Sequence, residues 1–309
     1  MKRIHRKESR FSMENVLVIG AGYLGRRVAA RVATASKSPI YATTRSRSRF
    51  FELANAGLVP LKFDWTDSGS FAGLPWDTVE NVLVAVSYDR NSRLDRHSSQ
   101  VGGLVNLLRR LPPQVRVCYI STTGVYHQTD GRWVNETSPT HPTRLGGKVH
   151  LAAEQQLHAL RPRDPWMVLR LAGIYGPGRV PRAADVLAGR PIRSSADGFL
   201  NLIHVEDAVE ATLASWRQMA DWGTNPPVGM QSRLFTVADD RPVVRRDFYG
   251  EIARQAGVAA PEFLPPAADA PERMRSDSNK RVDNRKLKRG LLPKLRFPDY
   301  RYGLADVLR

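Results

Sequence analysis

Near the start of the chain a short apolar run, Val16-Leu17-Val18-Ile19, leads into Gly20-Ala21-Gly22-Tyr23-Leu24-Gly25. A segment with apolar residues at Leu24, Val28 and Val32 follows, at helical spacing. Glycines at this spacing, between a buried strand and a helix, leave few folds open. Gly20 makes a tight turn, Gly22 lets backbone approach a ligand phosphate, and Gly25 lets the helix lie close on the strand. The helix start then presents free N–H groups and a positive dipole end to a pyrophosphate. Gly20, Gly22, Tyr23, Leu24 and Gly25 are therefore the expected phosphate-side residues of a dinucleotide site.

The pattern continues in alternation. Strands are expected at Pro39–Thr43, Leu58–Phe63, Val82–Val86, Val115–Ser121 and Trp166–Leu171, and helices at Arg47–Ala56, His97–Leu111 and Lys148–Leu160. Strands alternating with helices of this length indicate parallel βαβ units. Their unbroken apolar character fits a sheet covered on both faces. The expected fold is α/β, a Rossmann-type doubly wound parallel sheet with a smaller C-terminal substrate lobe. Residues 15–175 and 200–222 are assigned to the Rossmann domain. Residues 176–199 and 223–309 are assigned to the lobe, because glycine and proline rise and periodicity weakens after Tyr175.

The end of the second strand selects the cofactor. An NAD site usually places Asp or Glu there, ~20 residues beyond the glycine loop, to bond the ribose 2′-hydroxyl. This chain has Thr43-Thr44-Arg45-Ser46-Arg47 and no carboxylate before Glu52. A guanidinium matches a 2′-phosphate through a forked, charge-assisted contact. The expected cofactor is NADP, held by Thr44, Arg45 and Arg47, with Asp64 at the end of the third strand facing the adenine amino group.

Composition narrows the partners. The net charge is +17, with basic clusters in the first ten residues, at Arg45–Arg49 and at Lys280–Arg289. Such a charge attracts polyanions, but the clusters are scattered, so no dedicated nucleic-acid partner is expected. The leader 1–14 reads as a disordered basic tail, with a transit peptide or a start at Met13 as the other readings. No apolar run approaches the ~20 residues of a membrane-spanning helix. The lone Cys118, in an apolar run, reads as a buried inert thiol, no metal-ligand spacing is present, and a cytoplasmic location is expected.

Several segments carry a family resemblance. Ser121-Thr122-Thr123-Gly124-Val125-Tyr126, Leu169-Arg170-Leu171-Ala172-Gly173-Ile174-Tyr175-Gly176-Pro177-Gly178, Asn201-Leu202-Ile203-His204-Val205-Glu206-Asp207 and Lys280-Arg281-Val282-Asp283-Asn284 appear in that order. Together they resemble the extended, atypical short-chain dehydrogenase/reductases, the epimerase/dehydratase branch. The resemblance implies that Thr122 hydrogen-bonds the reacting oxygen. It places Tyr126 and His127 at the edge of a substrate cleft and Ala172–Tyr175 beside the nicotinamide. It also implies a homodimer through the helices at His97–Leu111 and Lys148–Leu160.

The chain departs from that family at its centre. The family's catalytic Tyr-x-x-x-Lys would begin the helix after the fifth strand. Alignment on Leu151-Ala152-Ala153-Glu154 puts Gly146 at the tyrosine and His150 at the lysine, and no tyrosine lies between Tyr126 and Tyr175. Lys148, two residues from His150, points elsewhere on a helix. The candidate catalytic residues are thus Thr122, Tyr126 and His150, the last with an ordinary pKa near neutrality. Two functions stay open. One is an NADP-dependent oxidoreductase, epimerase or dehydratase acting on a small carbonyl or nucleotide-sugar-like substrate with an unorthodox acid. The other is a non-catalytic NADP-binding sensor or scaffold.

Overall fold

The computed structural model describes residues 13–265 and 278–308. The expected disordered leader, apart from Met13 and Glu14, lies outside the described residues. The core is a parallel sheet of strands β1 (Val16–Ile19), β2 (Tyr41–Thr44), β3 (Val59–Lys62), β4 (Asn81–Val84), β5 (Arg116–Thr122), β6 (Trp166–Leu171) and β7 (Leu234–Val237). Their order is β7-β6-β5-β4-β1-β2-β3. The direction of winding reverses at β1, which lies between β4 and β2. In such sheets ligands bind beyond the carboxyl ends of the strands at this switch point.

The helices are α1 (Gly25–Ala33), α2 (Phe50–Asn55), α3 (Gly103–Leu108), α4 (Leu145–Leu160), α5 (Ala183–Leu187), α6 (Val205–Asp221), α7 (Arg245–Ala256), α8 (Arg285–Gly290) and α9 (Tyr300–Val307). Side-chain alternation along β1 feeds two layers. Val16 and Val18 join Val28 and Val32 of α1 and Val209 and Trp216 of α6. Leu17 and Ile19 face the other way, toward Leu104 and Leu107 of α3 and Val149 and Leu157 of α4. Pro60 sits on β3, which among the described residues pairs with β2 alone. An edge strand can spare the N–H that proline lacks.

The lobe has its own small core, built from Tyr175, Ile192, Val243, Phe248, Tyr249, Ile252, Tyr300 and Leu304. Two-stranded ribbons join Ile192–Arg193 to Phe263–Leu264 and Phe199–Leu200 to Val243–Val244. One expected boundary needs correction. Leu234–Val237, inside the range assigned to the lobe, is β7 and pairs along its whole length with β6. Its four residues, interrupted by the polar Thr236, are too short a run to stand out, and only pairing with β6 completes it as a strand. The expected helix at His97–Leu111 is also less regular. A wide turn at Ser98–Gly102 precedes α3, and Gly103 tucks against the Trp65 ring. Cys118 is buried, and burial pushes its thiol up to about 12. Among the described residues no helix is long and apolar enough to cross a membrane.

A buried ion pair fixes α4 on the sheet. Arg170 of β6 donates from Nε and Nη2 to the Glu154 carboxylate of α4, at 3.0 and 2.6 Å. Ser121 of β5 donates to the same carboxylate at 2.5 Å. Neither charged side chain is more than 3% exposed. Removing one member of such a pair strands the other in a low-dielectric interior. Glu154→Ala is expected to cost ~3–5 kcal/mol of unfolding free energy in urea titrations, while the pairwise replacement Glu154→Leu with Arg170→Met recovers most of it.

Candidate functional site

Beyond the carboxyl ends of the strands, the glycine loop and the turn after β2 meet the segment after β4, and the turn after β5 and the start of α4 adjoin that segment; this is where the crevice of such a sheet is expected. In the glycine loop each glycine answers to a separate demand. Gly20 has φ of +93°, and a Cβ there would stand 2.8 Å from the Ala85 carbonyl oxygen. A Cβ on Gly25 would fall onto the Gly20 carbonyl oxygen, so α1 sits as close to β1 as backbone allows. At Gly22 a Cβ would meet nothing within 4 Å. That open space lies beside the N-terminus of α1, which has no side-chain cap and no acid in its first turn. Both observations fit a dinucleotide pyrophosphate.

Tyr23 and Leu24 have different surroundings. Leu24 is buried in the core, so only its backbone faces the loop. The Tyr23 hydroxyl donates to the Pro177 carbonyl at 3.1 Å and ties the loop to the turn at the head of the lobe. Arg27 covers the Tyr23 ring, 4.0 Å from its centroid.

Beyond β2 the basic turn stands at the crevice edge. Arg45 is exposed and forms an ion pair with Asp89, from the segment after β4, at 2.8 Å. The Asn91 amide and then Arg45 hold the Asp89 carboxyl below its usual range. Thr44 accepts from the Ser46 amide at 3.3 Å and shapes the turn. Arg47 opens that turn with its side chain exposed. Arg49, which the sequence reading did not single out, donates to the Ala21 carbonyl at 2.8 Å and braces the glycine loop. Glu52, the first carboxylate after the strand, is engaged by Arg26 and Arg49. Asp64 uses one carboxylate oxygen on the amide and hydroxyl of Thr66, at 2.9 and 2.6 Å.

The three catalytic candidates separate. Thr122 ends β5, and its Oγ1 accepts from the Gly124 amide at 3.0 Å. Its own O–H stays available to a substrate oxygen. Tyr126 departs from the expectation of a cleft-edge residue. It is 3% exposed, and its phenol accepts from Arg170 at 3.0 Å. Burial pushes that phenol up to about 12, only partly offset by Arg170. Tyr126 thus joins the Glu154–Arg170 network and is closed off from solvent.

His150 does lie on α4, half-buried, with Nδ1 2.9 Å from the Tyr119 hydroxyl. Burial, then the charge of Arg96, pulls its pKa down to about 4. The expected near-neutral titration is therefore absent, and the ring is neutral at physiological pH. Lys148 is exposed, and His204 caps α6 by accepting from the Glu206 amide at 3.3 Å. Asp207 does not join it but accepts from the Arg296 and Phe297 amides.

Two further basic residues belong to this region. Lys280 is 4% exposed, donates to the Tyr126 carbonyl at 3.3 Å and to Ser278, and is pulled down to about 8 by burial. That part of the C-terminal basic cluster is thus structural. A cleft of about 570 Å3 in the lobe is lined by Ser194, Ser195, Arg245, Phe263 and Asn279 among others. Arg96 projects from the segment after β4 over the first turn of α4. Neither Tyr119 nor Arg96 belongs to any motif. Their relevance appears only once α4 is docked on β5.

Comparison with known proteins bears on the fold and the family. The sequence profile of the NAD dependent epimerase/dehydratase family matches residues 16–225. Protein YeeZ of Escherichia coli K12 is 32% identical over 157 residues, 51% of each chain, so the chain spans about half the length of the curated relative it matches. A conserved protein of unknown function from Silicibacter pomeroyi is 30% identical, with a TM-score of 0.75 over 95% of this chain and 97% of that one. The UDP-Glc/GlcNAc 4-epimerase of Campylobacter jejuni, 17% identical, shares the fold, with a TM-score of 0.77 over 96% and 98% of the two chains.

Two outcomes test the site. Gly22→Ala is expected to fold with the wild-type urea midpoint yet lose most dinucleotide affinity, whereas Gly25→Ala loses both, because its Cβ meets backbone that cannot yield. For His150, the folded pKa of about 4 lies below the unfolded value of ~6.5. The unfolded chain takes up a proton in that window and the folded chain does not, so this residue lowers stability as pH falls from 6.5 toward 4. Denaturation curves of His150→Gln across that range should be less acid-sensitive than wild type, and an equal slope would show that His150 does not titrate this way.

Proposed function

The chain belongs to the NAD dependent epimerase/dehydratase family, and on that premise we propose that it binds NADP and acts on a carbonyl or nucleotide-sugar-like small molecule by hydride chemistry. The observation that carries the cofactor choice is the turn after β2. It puts Arg45 and Arg47 at the crevice edge, and the nearest following carboxylate, Glu52, is already engaged by two arginines. A 2′-phosphate is recognised there, and a 2′-hydroxyl finds no carboxylate acceptor on that turn.

In this reading the backbone of Gly20–Gly25 and the start of α1 hold the pyrophosphate, and Asp64 meets the adenine amino group. The bound dinucleotide supplies the hydride donor or acceptor. Thr122 gives its O–H to the reacting oxygen, and its position is fixed by the Gly124 amide. The neutral ring of His150, held by Tyr119, offers a hydrogen bond to the nicotinamide ribose. Ala172–Tyr175, at the end of β6, borders the nicotinamide pocket. A homodimer through α3 and α4 belongs to the same proposal, with light scattering as its check.

A second reading, a non-catalytic NADP-binding protein, is favoured by a specific observation. Neither Tyr126 nor His150 is a proton donor poised near neutral pH, and a positioned acid is typically worth ~10²–10⁴ in rate. NADPH turnover on a panel of carbonyls and nucleotide sugars separates the two readings.

The cofactor choice has its own test. Arg45→Ala should weaken NADPH binding about tenfold or more and leave NADH nearly unchanged, since one charge-assisted contact is lost. Asp89→Asn should strengthen NADPH binding, because it releases Arg45 and removes a negative charge beside the phosphate. Fluorescence titration of both cofactors reads these shifts, and equal losses for NADH and NADPH in Arg45→Ala would remove the basis for the NADP assignment.

A further inference from the structure

We propose that Arg96 binds the reacting end of the substrate, and that the substrate carries an oxyanion there, a carboxylate or a phosphoryl group. The inference rests on the reading of the crevice as a substrate site. Arg96 lies in the segment that follows β4, on the side of the sheet where Rossmann-type folds take their ligands. Its Nη1 is 2.7 Å, and its Cζ 3.7 Å, from the point where a Cβ on Gly146 would sit. The guanidinium therefore fills the space above residue 146, where the family resemblance would put the catalytic phenol. A residue from another part of the chain stands where the helix carries none.

The side chain is held in place before any ligand arrives. The guanidinium lies over the Tyr88 ring, 5.0 Å from its centroid. Tyr88 in turn donates to the Leu94 carbonyl at 3.1 Å, which closes the segment on itself. Asp95 caps the following turn, accepting from the His97 and Ser98 amides at 2.7 and 3.0 Å and from the Ser98 hydroxyl at 2.6 Å. Both nearby carboxylates are thus occupied, Asp95 with this cap and Asp89 with Arg45.

Arg96 itself is left without an acceptor. Among the described residues none takes a hydrogen bond from it, and its Nε is shut away from solvent with no partner. Buried donors are nearly always satisfied in native proteins, so an orphan in a crevice asks for a ligand acceptor. The adjacent His150 is neutral, so no second titrating cation shares the work. A guanidinium does not give up its proton near neutral pH, so Arg96 is no substitute acid. Its planar fork fits the paired oxygens of a carboxylate or a phosphoryl group.

Calorimetric titration with malonate and, separately, with inorganic phosphate tests this, on protein saturated with NADPH and on free protein. Wild type is expected to bind at least one of them saturably and to ignore neutral malonamide. Binding of malonate assigns a carboxylate, and binding of phosphate a phosphoryl group. Arg96→Ala should weaken that binding about 10- to 100-fold with only a small change in urea midpoint, since the contact with the Tyr88 ring is lost but no internal hydrogen bond is. Gly146→Ala, which gains helix propensity but drives its Cβ into the guanidinium, should weaken it while Arg96 is still present. The proposal is overturned if Arg96→Ala binds the anions as wild type does, or if wild type binds neither anion in either state. Failure of the cofactor reading is separate. It shows as absent NADPH binding in wild type, and the titration of free protein still decides the role of Arg96.

Discussion

The contact on which the site depends is the buried pair between Arg170 and Glu154. It joins β6 to α4 with two hydrogen bonds, takes a third from Ser121 on β5 and a fourth contact from the Tyr126 phenol. Charges this deep are tolerated only when every donor and acceptor is matched, so the pair allows essentially one register of α4 on the sheet. Gly147 enforces the same register, since a Cβ there would fall onto the Gly124 carbonyl oxygen. Once α4 is set, His150 must face Tyr119, and Gly146 must lie beneath Arg96. The same network closes Tyr126 off from solvent. Its phenol serves as the partner that completes the fork of Arg170.

The cofactor side is built on a different principle, close backbone approach. Gly25 brings α1 onto β1, Gly20 turns the chain under the Ala85 carbonyl, and Gly22 leaves a gap that a side chain would partly fill. Arginines then brace the gap from outside. Arg49 holds the Ala21 carbonyl, and Arg45 bridges to Asp89 across the crevice edge. Several contributors to the large net charge thus sit in specific contacts. Lys280 and Arg281 of the C-terminal cluster are likewise woven into the lobe boundary, with Arg281 reaching the Gly131 carbonyl and lying over the Trp133 ring.

How much of this the sequence discloses follows from the range of each interaction. Strands β1 to β6 and the glycine loop are legible because their signals are local: an apolar run, a glycine spacing, a helical period. β7 is not, because Leu234–Val237 becomes a strand only through pairing with a partner more than sixty residues earlier. Tyr126 misleads for a related reason. Its motif places the backbone correctly, but the direction of the phenol is decided by Arg170, forty-four positions away. The neutral state of His150 has the same origin, since burial against β5 and the charge of Arg96 come from tertiary packing. Arg96 belongs to a polar stretch with no period and no motif, and only the docked helix shows what it faces.

These features change what the centre of the site can do. The guanidinium of Arg96 beside Gly146 and the neutral imidazole of His150 offer no proton near neutral pH. What the arrangement supplies is fixed positive charge with a donor that has no acceptor among the described residues, beside Asp89 and Asp95 that are already engaged. Such a charge is most effective against a group that is already negative in the ground state, and it adds most when that group is desolvated on binding. On the proposed reading, binding energy gained there orients the neighbouring carbon toward Thr122. On the same reading, Arg96 places an anion, and a proton that the chemistry requires reaches the substrate by way of the Thr122 hydroxyl, the one protein hydroxyl assigned to the reacting oxygen, or from solvent.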